Sequence, residues 1–265
     1  MKVFVSVISH GHSSLIKKLS CLDFLCLEFC VIVKSNKSGD SFEFDNEKGN
    51  FHWIDEKYNC GFGENNNIVF SYCQTKLGMQ DNDYFIVLNP DVFIEVDMLL
   101  ELIQLMENDR VVFSAINLFL NDSQTCPDPS IRHFPNLFNF LFSFLGLGNS
   151  TVIDKSNITS AMEVDWAAGS FLAFKASHYQ SLYGFDENYF MYCEDIDICY
   201  RSAKMGLSLT FYPKIKAIHL AKHENRMILS RHFYWHVSSV IRFLISKKFR
   251  IRLKSRLKKP RIESD

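Results

Sequence analysis

At 265 residues and 47% hydrophobic content, the chain is long and apolar enough to bury a sizeable core, which excludes a wholly disordered protein. Its formal net charge of −1 also excludes a chain that is basic throughout, but the charge is unevenly distributed. Residues 242–261 carry ten Lys or Arg and no acidic residue, so we expect this end of the chain to meet anionic partners.

The N-terminal segment and the cysteines indicate the cellular compartment of the protein. Residues 1–9 lack the basic start, the long apolar stretch and the small-residue cleavage site of a signal peptide, and no window reaches the roughly 20 apolar residues of a membrane-spanning helix. The eight cysteines lack close C-x-x-C spacing, and several lie in apolar runs, which favours buried thiols in a reducing cytoplasm. The sequence therefore predicts neither a signal peptide nor a transmembrane helix.

The first half of the chain predicts three strands that each end in a polar loop. The first apolar run, 2–8, is followed by Ser9-His10-Gly11-His12. The second, 29–33, is followed by Lys34-Ser35-Asn36, and the third, 84–88, by Asn89-Pro90-Asp91. In an open sheet of parallel strands, ligands bind beyond the carboxyl ends of the strands. We therefore expect the three loops to share one crevice.

A glycine-containing segment, 59–67, precedes an apolar helical pattern that runs through Leu77. Its two glycines, Gly61 and Gly63, permit a close approach of backbone to a ligand. Because a helix N-terminus attracts anions, this segment is a further candidate for the crevice.

The second half continues the alternation of strands and helices. A polar, proline-containing loop over 121–135 leads into the Phe-rich stretch 138–144, for which lipid contact, a buried amphipathic helix and a dimer contact all remain open. The further predicted elements are a strand over 164–174, a helix over 195–204, a strand over 207–212 and a helix over 229–246. This alternation is typical of an α/β protein.

The strongest local signal is the segment 184–201, in which aromatic residues lead into three carboxylates, Glu194, Asp195 and Asp197. One interpretation is structural, since acids in the first helical turn are stabilised by the helix dipole and Asp197 pairs with Arg201 at i, i+4. The other is a catalytic carboxylate. The spacing alone leaves both open.

Two further features suggest a cation site. Asp91 at a strand end can hold a hard divalent cation together with phosphate oxygens, although a proline-stiffened turn explains the same residues. His219 follows a late apolar run, and His223 lies one helical turn further on. The pair lacks the third close ligand of a zinc site, so we do not predict zinc.

Taken together, these motifs resemble the bacterial family 2 glycosyltransferases, specifically the rhamnosyltransferase branch that builds O-antigen and related cell-surface polysaccharides. The resemblance runs nearly end to end. It is carried by five segments in order, namely 7–12, 59–67, Leu88-Asn89-Pro90-Asp91, Asp165-Trp166-Ala167-Ala168-Gly169-Ser170-Phe171 and 184–201.

The resemblance implies a GT-A fold, a three-layer α/β/α nucleotide-diphospho-sugar transferase. On this basis residues 1–225 form the catalytic domain, with 1–120 as the nucleotide-sugar-binding half and 121–225 as the acceptor-binding half. Residues 226–265 then form a C-terminal helix and a basic, membrane-associating tail. An Mg²⁺ or Mn²⁺ ion is the implied cofactor.

The resemblance also assigns roles to individual residues. Asp195 matches the catalytic base and Glu194 a neighbour that supports its orientation, whereas Asp91 and His219 match metal ligands. The implied donor-binding residues are Ser9, His10, Asn36, Gly61, Gly63, Asn67, Asn89 and Asp91. The implied acceptor-binding residues are Arg132, Trp166, Ala168, Gly169, Ser170 and Tyr192.

The chain departs from the family pattern at two places. Asn89 occupies the first acidic position of the Asp-x-Asp metal element, as is common in this branch, which puts strict metal dependence in doubt. Ser35-Asn36 stands where the second strand often ends in Asp-Asn, which weakens the prediction of nucleobase contacts.

The implied activity is inverting transfer of L-rhamnose from dTDP-rhamnose to N-acetylglucosamine on a polyprenyl diphosphate, at the cytoplasmic face of the inner membrane. Transfer of another sugar, such as galactofuranose, and a non-catalytic nucleotide-sugar or membrane-binding relative are the alternatives. Large aliphatic side chains lie among the basic residues of the tail, which favours an anionic membrane surface over nucleic acid.

Overall fold

Strands and helices alternate along most of the chain. The computed structural model describes residues 1–42, 49–144, 150–220, 231–249 and 251–257. The strands in these ranges are β1 (Val3–Ser9), β2 (Cys30–Ser35), β3 (Phe51–Ile54), β4 (Tyr84–Leu88), β5 (Val92–Phe93), β6 (Phe113–Phe119), β7 (Ile131–Arg132), β8 (Met162–Val164), β9 (Trp166–Ala167), β10 (Phe171–Lys175) and β11 (Leu209–His219). The helices are α1 (Ser13–Leu19), α2 (Cys21–Glu28), α3 (Phe62–Lys76), α4 (Val96–Asn108), α5 (Leu137–Phe144), α6 (Ala176–Ser181), α7 (Glu194–Lys204) and α8 (Arg231–Lys248).

One large sheet organises the described part of the chain. Its strands lie in the order β3-β2-β1-β4-β10-β6-β11-β5, with β8 paired to β11, while β7 and β9 form a separate two-stranded ribbon. The four strands β3, β2, β1 and β4 are parallel, whereas β10 is antiparallel to both of its neighbours. Strand β11 then runs parallel to β6. The carboxyl ends of β1, β2 and β4 therefore lie at the same edge of the sheet.

Helices cover both faces of this sheet because its central strands are apolar on both sides. Every residue of β4 is buried, as expected for a parallel strand between two helical layers. One hydrophobic core contains side chains of α3, α6, α7 and α8, and a second contains side chains of α1, α2 and α4. The predicted three-layer α/β/α fold is confirmed.

Two strands differ from the sequence-based prediction. The single strand predicted over 164–174 is three short strands, because the chain leaves the large sheet to form β9 in the ribbon and returns at Phe171. The strand predicted over 207–212 instead continues to His219 across an irregularity between Tyr212 and Lys216. This break contains Pro213, which has no N–H to donate to a neighbouring strand.

The predicted domain bounds and functional halves stay a prediction, and the described residues of all these parts pack together. Strand β10, from the proposed acceptor half, lies between β4 and β6 of the proposed donor half. Val240 and Phe243 of α8, and Leu257 beyond it, belong to the same core as α3 and α7. The predicted boundary between residues 225 and 226 itself lies outside the described residues.

Among the described residues, no helix combines the length and the apolar character needed to cross a bilayer.

Candidate active site

Polar loops meet at the carboxyl edge of the sheet. The backbone N–H of Asn36 donates to the carbonyl of Ser9 at 2.6 Å, which joins the loops after β1 and β2. The N–H of Asn89 donates to the carbonyl of Ser170 at 2.9 Å, and Leu88 pairs with Phe171. The predicted crevice loops are therefore neighbours, and the segment before β10 joins them.

Asp195 lies in the first turn of α7 and faces this same edge. Its Oδ2 accepts a hydrogen bond from the backbone N–H of Gly169 at 3.1 Å, and its Oδ1 accepts one from Ile196 at 2.8 Å. Burial raises the pKa of Asp195 above its usual value, although these two hydrogen bonds and the charge of Arg132 act in the opposite direction. Asp195 is thus a fixed carboxylate with raised proton affinity.

A larger residue at position 169 would be tightly packed against Phe62. A Cβ there would lie 3.0 Å from the ring of Phe62 and 3.8 Å from Cβ of Asp195. Gly169 and Ser170 thus bridge the two predicted carboxylate sites, one through Asp195 and the other through the loop that carries Asp91.

The loop that precedes Asp195, residues 184–193, is called here the base loop. It ends with two non-glycine residues in the left-handed region, Tyr192 at φ 71° and Cys193 at φ 62°. Each such residue costs on the order of 1–3 kcal/mol and persists only where surrounding contacts fix it. The hydroxyl of Ser239 donates to the carbonyl of Met191 at 2.9 Å, so α8 supplies one of these contacts.

Glu194 and Asp197 have different surroundings from Asp195. Burial raises the pKa of Glu194 well above its usual value, and its Oε2 has no hydrogen-bond partner in the part of the chain that is described. Asp197 forms a 2.7 Å ion pair with Arg201, whose guanidinium also donates to two backbone carbonyls. Asp197 therefore has the structural role that the i, i+4 spacing suggested.

Asp91 and His219, the two predicted metal ligands, lie side by side. His219 pairs with Val92 across β11 and β5, which brings its Nε2 to 3.4 Å from Oδ1 of Asp91. Its Nδ1 lies 2.5 Å from Oδ2 of Asp128. Burial disfavours the charged imidazolium, but the hydrogen bonds and charges of the two aspartates outweigh burial and raise the pKa of His219 to about 9.

The same contacts act on Asp91. Burial acts to raise the pKa of Asp91, but the hydrogen bond and charge of His219 outweigh it, so this pKa lies below its usual value. The sequence analysis missed Asp128, because nothing distinguishes it from the other polar residues of the loop 121–135. The pairing of β11 with β5 places His219 beside Asp91. The pairing of β11 with β6, together with the hydrogen bond from the Asp128 N–H to the Leu118 carbonyl, places it beside Asp128.

The chemistry of this set fits a divalent cation that is shared with a diphosphate. A histidine ligand commonly has its second ring nitrogen bound to a carboxylate, which is the relation of His219 to Asp128. Mg²⁺ is usually held by one or two carboxylates with phosphate oxygens, and imidazole suits Mn²⁺. Within the described ranges no group of three His, Cys, Asp or Glu residues could hold a metal, so Asp91 and His219 would need the diphosphate to complete the coordination.

The predicted donor residues near β1 and β2 have well-defined partners. Ser9 is buried, and its hydroxyl accepts from the N–H of His12, while His10 is exposed. The side chain of Asn36 forms two 2.9 Å hydrogen bonds with the backbone of Cys60. Asn36 thus holds the glycine-containing segment against β2, and its role toward a nucleobase stays a prediction.

The two glycines before and within α3 are explained by packing against protein. A Cβ on Gly61 would lie 2.5 Å from the carbonyl oxygen of Phe190, and one on Gly63 would lie 2.5 Å from Cβ of Phe185. The N-terminus of α3 therefore packs directly on the base loop. The proposed approach of a ligand to these glycines stays a prediction.

Asn67 has partners within the protein for its whole side chain, and its predicted donor contact stays a prediction. Its Oδ1 accepts from the Tyr179 hydroxyl and the Phe185 N–H, and its Nδ2 donates to the Phe185 carbonyl and to Glu187. An asparagine side chain has two acceptor and two donor positions. All four are used inside the core, so the fully buried side chain is a structural link between α3 and the base loop.

The predicted acceptor residues cluster around the ribbon of β7 and β9. The guanidinium of Arg132 lies 5.4 Å from the ring centroid of Trp166, whose Nε1 donates to the carbonyl of His133. The N–H of Ala168 donates to the carbonyl of Ser130, and the Ser170 hydroxyl is buried without a hydrogen-bond partner among the described residues. Their role toward an acceptor stays a prediction.

Aromatic residues of α8, which the sequence analysis missed, pack on the base loop. The rings of Tyr192 and His236 are 4.9 Å apart, and those of Phe190 and Trp235 are 4.5 Å apart. The Tyr192 hydroxyl also lies 3.1 Å from Nδ1 of His232. No local motif marks these residues, since their relation to Tyr192 depends on the packing of α8.

Comparison with known proteins identifies close relatives in sequence. The chain is 39% identical over 251 residues to rhamnosyltransferase WbbL of Escherichia coli strain K12, covering 93% of this chain and 94% of that protein. It is 28% identical over 176 residues to the N-acetylglucosaminyl-diphospho-decaprenol L-rhamnosyltransferase of Mycobacterium tuberculosis strain H37Rv, covering 63% of this chain and 56% of that protein. No protein-family model matches the chain.

Solved structures support the fold. Staphylococcus aureus TarS residues 1–349 in complex with UDP-GlcNAc superposes with a TM-score of 0.59 at 13% identity, covering 96% of this chain and 68% of that one. A longer TarS chain gives a TM-score of 0.56, and the present chain spans 37% of its length. At this level of identity the likeness concerns the fold alone.

Proposed function

This chain belongs to the family 2 glycosyltransferases, in the group that contains WbbL, and we propose that it is an inverting rhamnosyltransferase using dTDP-L-rhamnose. The proposed acceptor is N-acetylglucosamine on a polyprenyl diphosphate, in the assembly of O-antigen or a related polysaccharide. The observation that carries the proposal is the contact of Asp195 with Gly169, next to the loop that bears Asp91. The names of two relatives support rhamnosyl transfer.

The proposed reaction is a single displacement. An acceptor hydroxyl oxygen forms a bond to the anomeric carbon while the bond from that carbon to the diphosphate oxygen breaks, so the configuration inverts. The hydroxyl proton passes to Asp195, and dTDP leaves with the bonding electron pair. A positioned carboxylate contributes typically 10²- to 10⁴-fold to such a step.

Asp195 suits the role of base better than either neighbouring acid. Two backbone N–H groups hold its carboxylate, and its raised pKa gives it a higher proton affinity than an ordinary aspartate. Glu194 is buried, with its Oε2 unpartnered among the described residues, and burial and the neighbouring Asp195 charge raise its pKa well above normal. Asp197 is neutralised by Arg201.

The leaving diphosphate is the second chemical requirement. A bound Mg²⁺ or Mn²⁺ would neutralise the charge that develops on it. Asp91 and His219 would hold this ion, which would replace the proton on Nε2 of His219, and Asp128 would keep the ring in place through Nδ1. Asn89 lies in the same loop as Asp91, and its backbone N–H is bound to the carbonyl of Ser170. Its neutral side chain would add no charge to the cation site.

A donor screen tests the proposed function. The purified protein would be incubated with a panel of nucleotide sugars and a synthetic N-acetylglucosaminyl-diphospholipid, with and without Mg²⁺ or Mn²⁺. We expect mass spectrometry to show addition of one deoxyhexose from dTDP-rhamnose. Transfer from a galactofuranose donor alone would favour the other sugar, and transfer from none would favour a non-catalytic relative.

We also propose that the protein attaches peripherally to an anionic membrane surface, on the cytoplasmic side of the inner membrane. Helices α5 and α8 pack together through Phe140 and Phe243, whose rings are 6.5 Å apart. Both helices leave large apolar side chains exposed, namely Leu137, Phe138, Leu141, Phe142, Ile241, Ile245 and Phe249 at the end of α8. Apolar side chains with Lys247 and Lys248 nearby suit an interface of acyl chains and anionic headgroups.

This surface differs from the basic tail that the sequence indicates. Arg242 forms a 2.6 Å ion pair with Asp186, and Arg256 pairs with Glu64 and Glu187, so neither guanidinium is available to lipid. Residues 250 and 258–265 lie outside the described residues. The proposed membrane contact therefore rests on α5 and α8.

Replacing Ile245 and Phe249 with serine is expected to weaken binding to anionic vesicles by tenfold or more. Burial of one large apolar side chain contributes roughly 1.5–3 kcal/mol, and these two are 44% and 66% exposed. Vesicle flotation measures the effect. Leu100→Ser is the matched control, because Leu100 is a similarly exposed residue of α4 in the opposite helical layer. Equal flotation of the double variant and the wild type would contradict the proposed surface.

A further inference from the structure

Residues 251–257, called here the C-terminal strap, lie along the base loop as an added extended segment. The N–H of Glu187 donates to the carbonyl of Lys254 at 2.7 Å, and the N–H of Lys254 donates to Oδ1 of Asp186 at 3.0 Å. The strap ends with Leu257, which is buried in the core that α3 and α7 share. Its backbone and its last side chain are therefore built into the fold.

Arg256 has a different role from the other basic residues of the strap. Its N–H and its Nε both donate to Oε1 of Glu187, at 2.9 and 3.0 Å. Its Nη2 reaches Oε1 of Glu64, in the first turn of α3, at 2.5 Å. One guanidinium thus joins the base loop to the helix that begins beside the glycine-containing segment.

The carboxylate of Glu187 is committed to this arrangement. Its side chain is only 4% exposed, and its Oε1 also accepts from Nδ2 of Asn67. The neighbouring Asp186 accepts from the guanidinium of Arg242 at 2.6 Å. Asp186 and Glu187 of the base loop therefore bind the C-terminal part of the chain.

The two segments that Arg256 joins, the base loop and the start of α3, both lie next to the proposed active site. The base loop ends in two left-handed residues and continues into Asp195, so external contacts are needed to hold it. The start of α3 packs on the same loop, where the N–H of Phe62 donates to the carbonyl of Phe190 at 3.0 Å. Loss of Arg256 would remove a charged link between these two segments.

We propose that Arg256 is a positioning residue, which fixes the base loop against the start of α3 and so sets the place of Asp195 relative to the donor. The inference rests on the proposed function, since it concerns the same site. It assigns to the C-terminal strap a role in turnover that is separate from membrane binding. Arg252 and Lys254 make their described contacts with the base loop through backbone atoms, and their side chains are exposed.

This difference supplies matched controls. Arg256→Ala, Arg256→Lys, Arg252→Ala and Lys254→Ala would be assayed with a water-soluble, short-chain acceptor, so that membrane binding does not enter. We expect Arg256→Ala to lower kcat about tenfold or more, because small displacements of reacting groups are costly. Arg256→Lys should recover part of this loss, and the two control variants should stay within about twofold of the wild type.

Hydrogen exchange of the full chain gives a readout that does not depend on turnover. In Arg256→Ala we expect faster exchange of the backbone amides in both 61–67 and 184–193. Exchange in the strands of the large sheet should be unchanged. Faster exchange confined to 251–257, or equal kcat loss in all three alanine variants, would overturn the inference. If the wild type transfers no sugar, the proposed function fails, and the exchange pattern still decides the role of Arg256.

Discussion

Replacing Asp195 with asparagine is expected to lower kcat by two to four orders of magnitude with little change in stability. The amide keeps the size of the side chain, and its oxygen can still accept the Gly169 N–H at about the present 3.1 Å. It cannot accept the proton of the acceptor hydroxyl. Single-turnover transfer measured under saturating donor would report this loss, and thermal unfolding would confirm that the variant folds.

The pH profile identifies the lost group. Only deprotonated Asp195 acts as a base, so wild-type turnover should rise with pH through a pKa that burial places above that of an ordinary aspartate. This acidic limb should vanish in Asp195→Asn. Asp97→Asn, an exposed acid in the first turn of α4, is the control and should keep both the rate and the limb. Turnover of Asp195→Asn near the wild-type rate would remove Asp195 as the base.

Replacing Asp91 with asparagine is expected to be the second most damaging change, lowering kcat/KM for the donor by about 10²- to 10³-fold. The magnitude follows from losing several kcal/mol of charge stabilisation on the departing diphosphate. Asp91 lies 3.4 Å from His219 Nε2, so its carboxylate and this imidazole form the proposed cation site. Steady-state kinetics against Mn²⁺ concentration would measure the effect.

Comparing the metal dependence of the wild type with that of Asp91→Asn distinguishes a cation-binding role of Asp91 from a structural role. Wild-type activity should fall on addition of EDTA and return with Mn²⁺ or Mg²⁺, whereas Asp91→Asn should respond weakly to either treatment. Asp122→Asn, an exposed loop residue, provides the control. If EDTA does not lower the activity of the wild type, Asp91 holds no ion that is essential for the reaction.

Parts of the fold were predictable because local sequence and global structure agree. The apolar run 84–88 coincides with β4, since a parallel strand buried on both faces must be apolar throughout. The run 164–174 was misassigned, because most of its apolar residues are buried although they belong to three strands. The hydrophobic pattern reports burial, whereas the departure from the large sheet depends on the pairing of β9 with β7, which is distant in sequence.

The candidate site shows the same limit. Asp91 and Asp195 stand in recognisable local patterns, so their importance could be argued from neighbouring residues. Asp128 could not, since its contact with His219 spans 91 positions of the chain. Asn67 lies in a recognisable motif, but the sequence did not indicate that its side chain forms all its hydrogen bonds inside the core.

The amino-acid sequence by itself determined the α/β class, the strand ends that carry polar loops, and the family resemblance. Only the tertiary structure decided that the basic C-terminal segment is partly built into the catalytic fold, through Arg256 and Leu257. The physical reason is that an arginine has the same local character whether it meets water, lipid or a buried carboxylate. Its partner is set by the packing of distant elements, which no local pattern encodes.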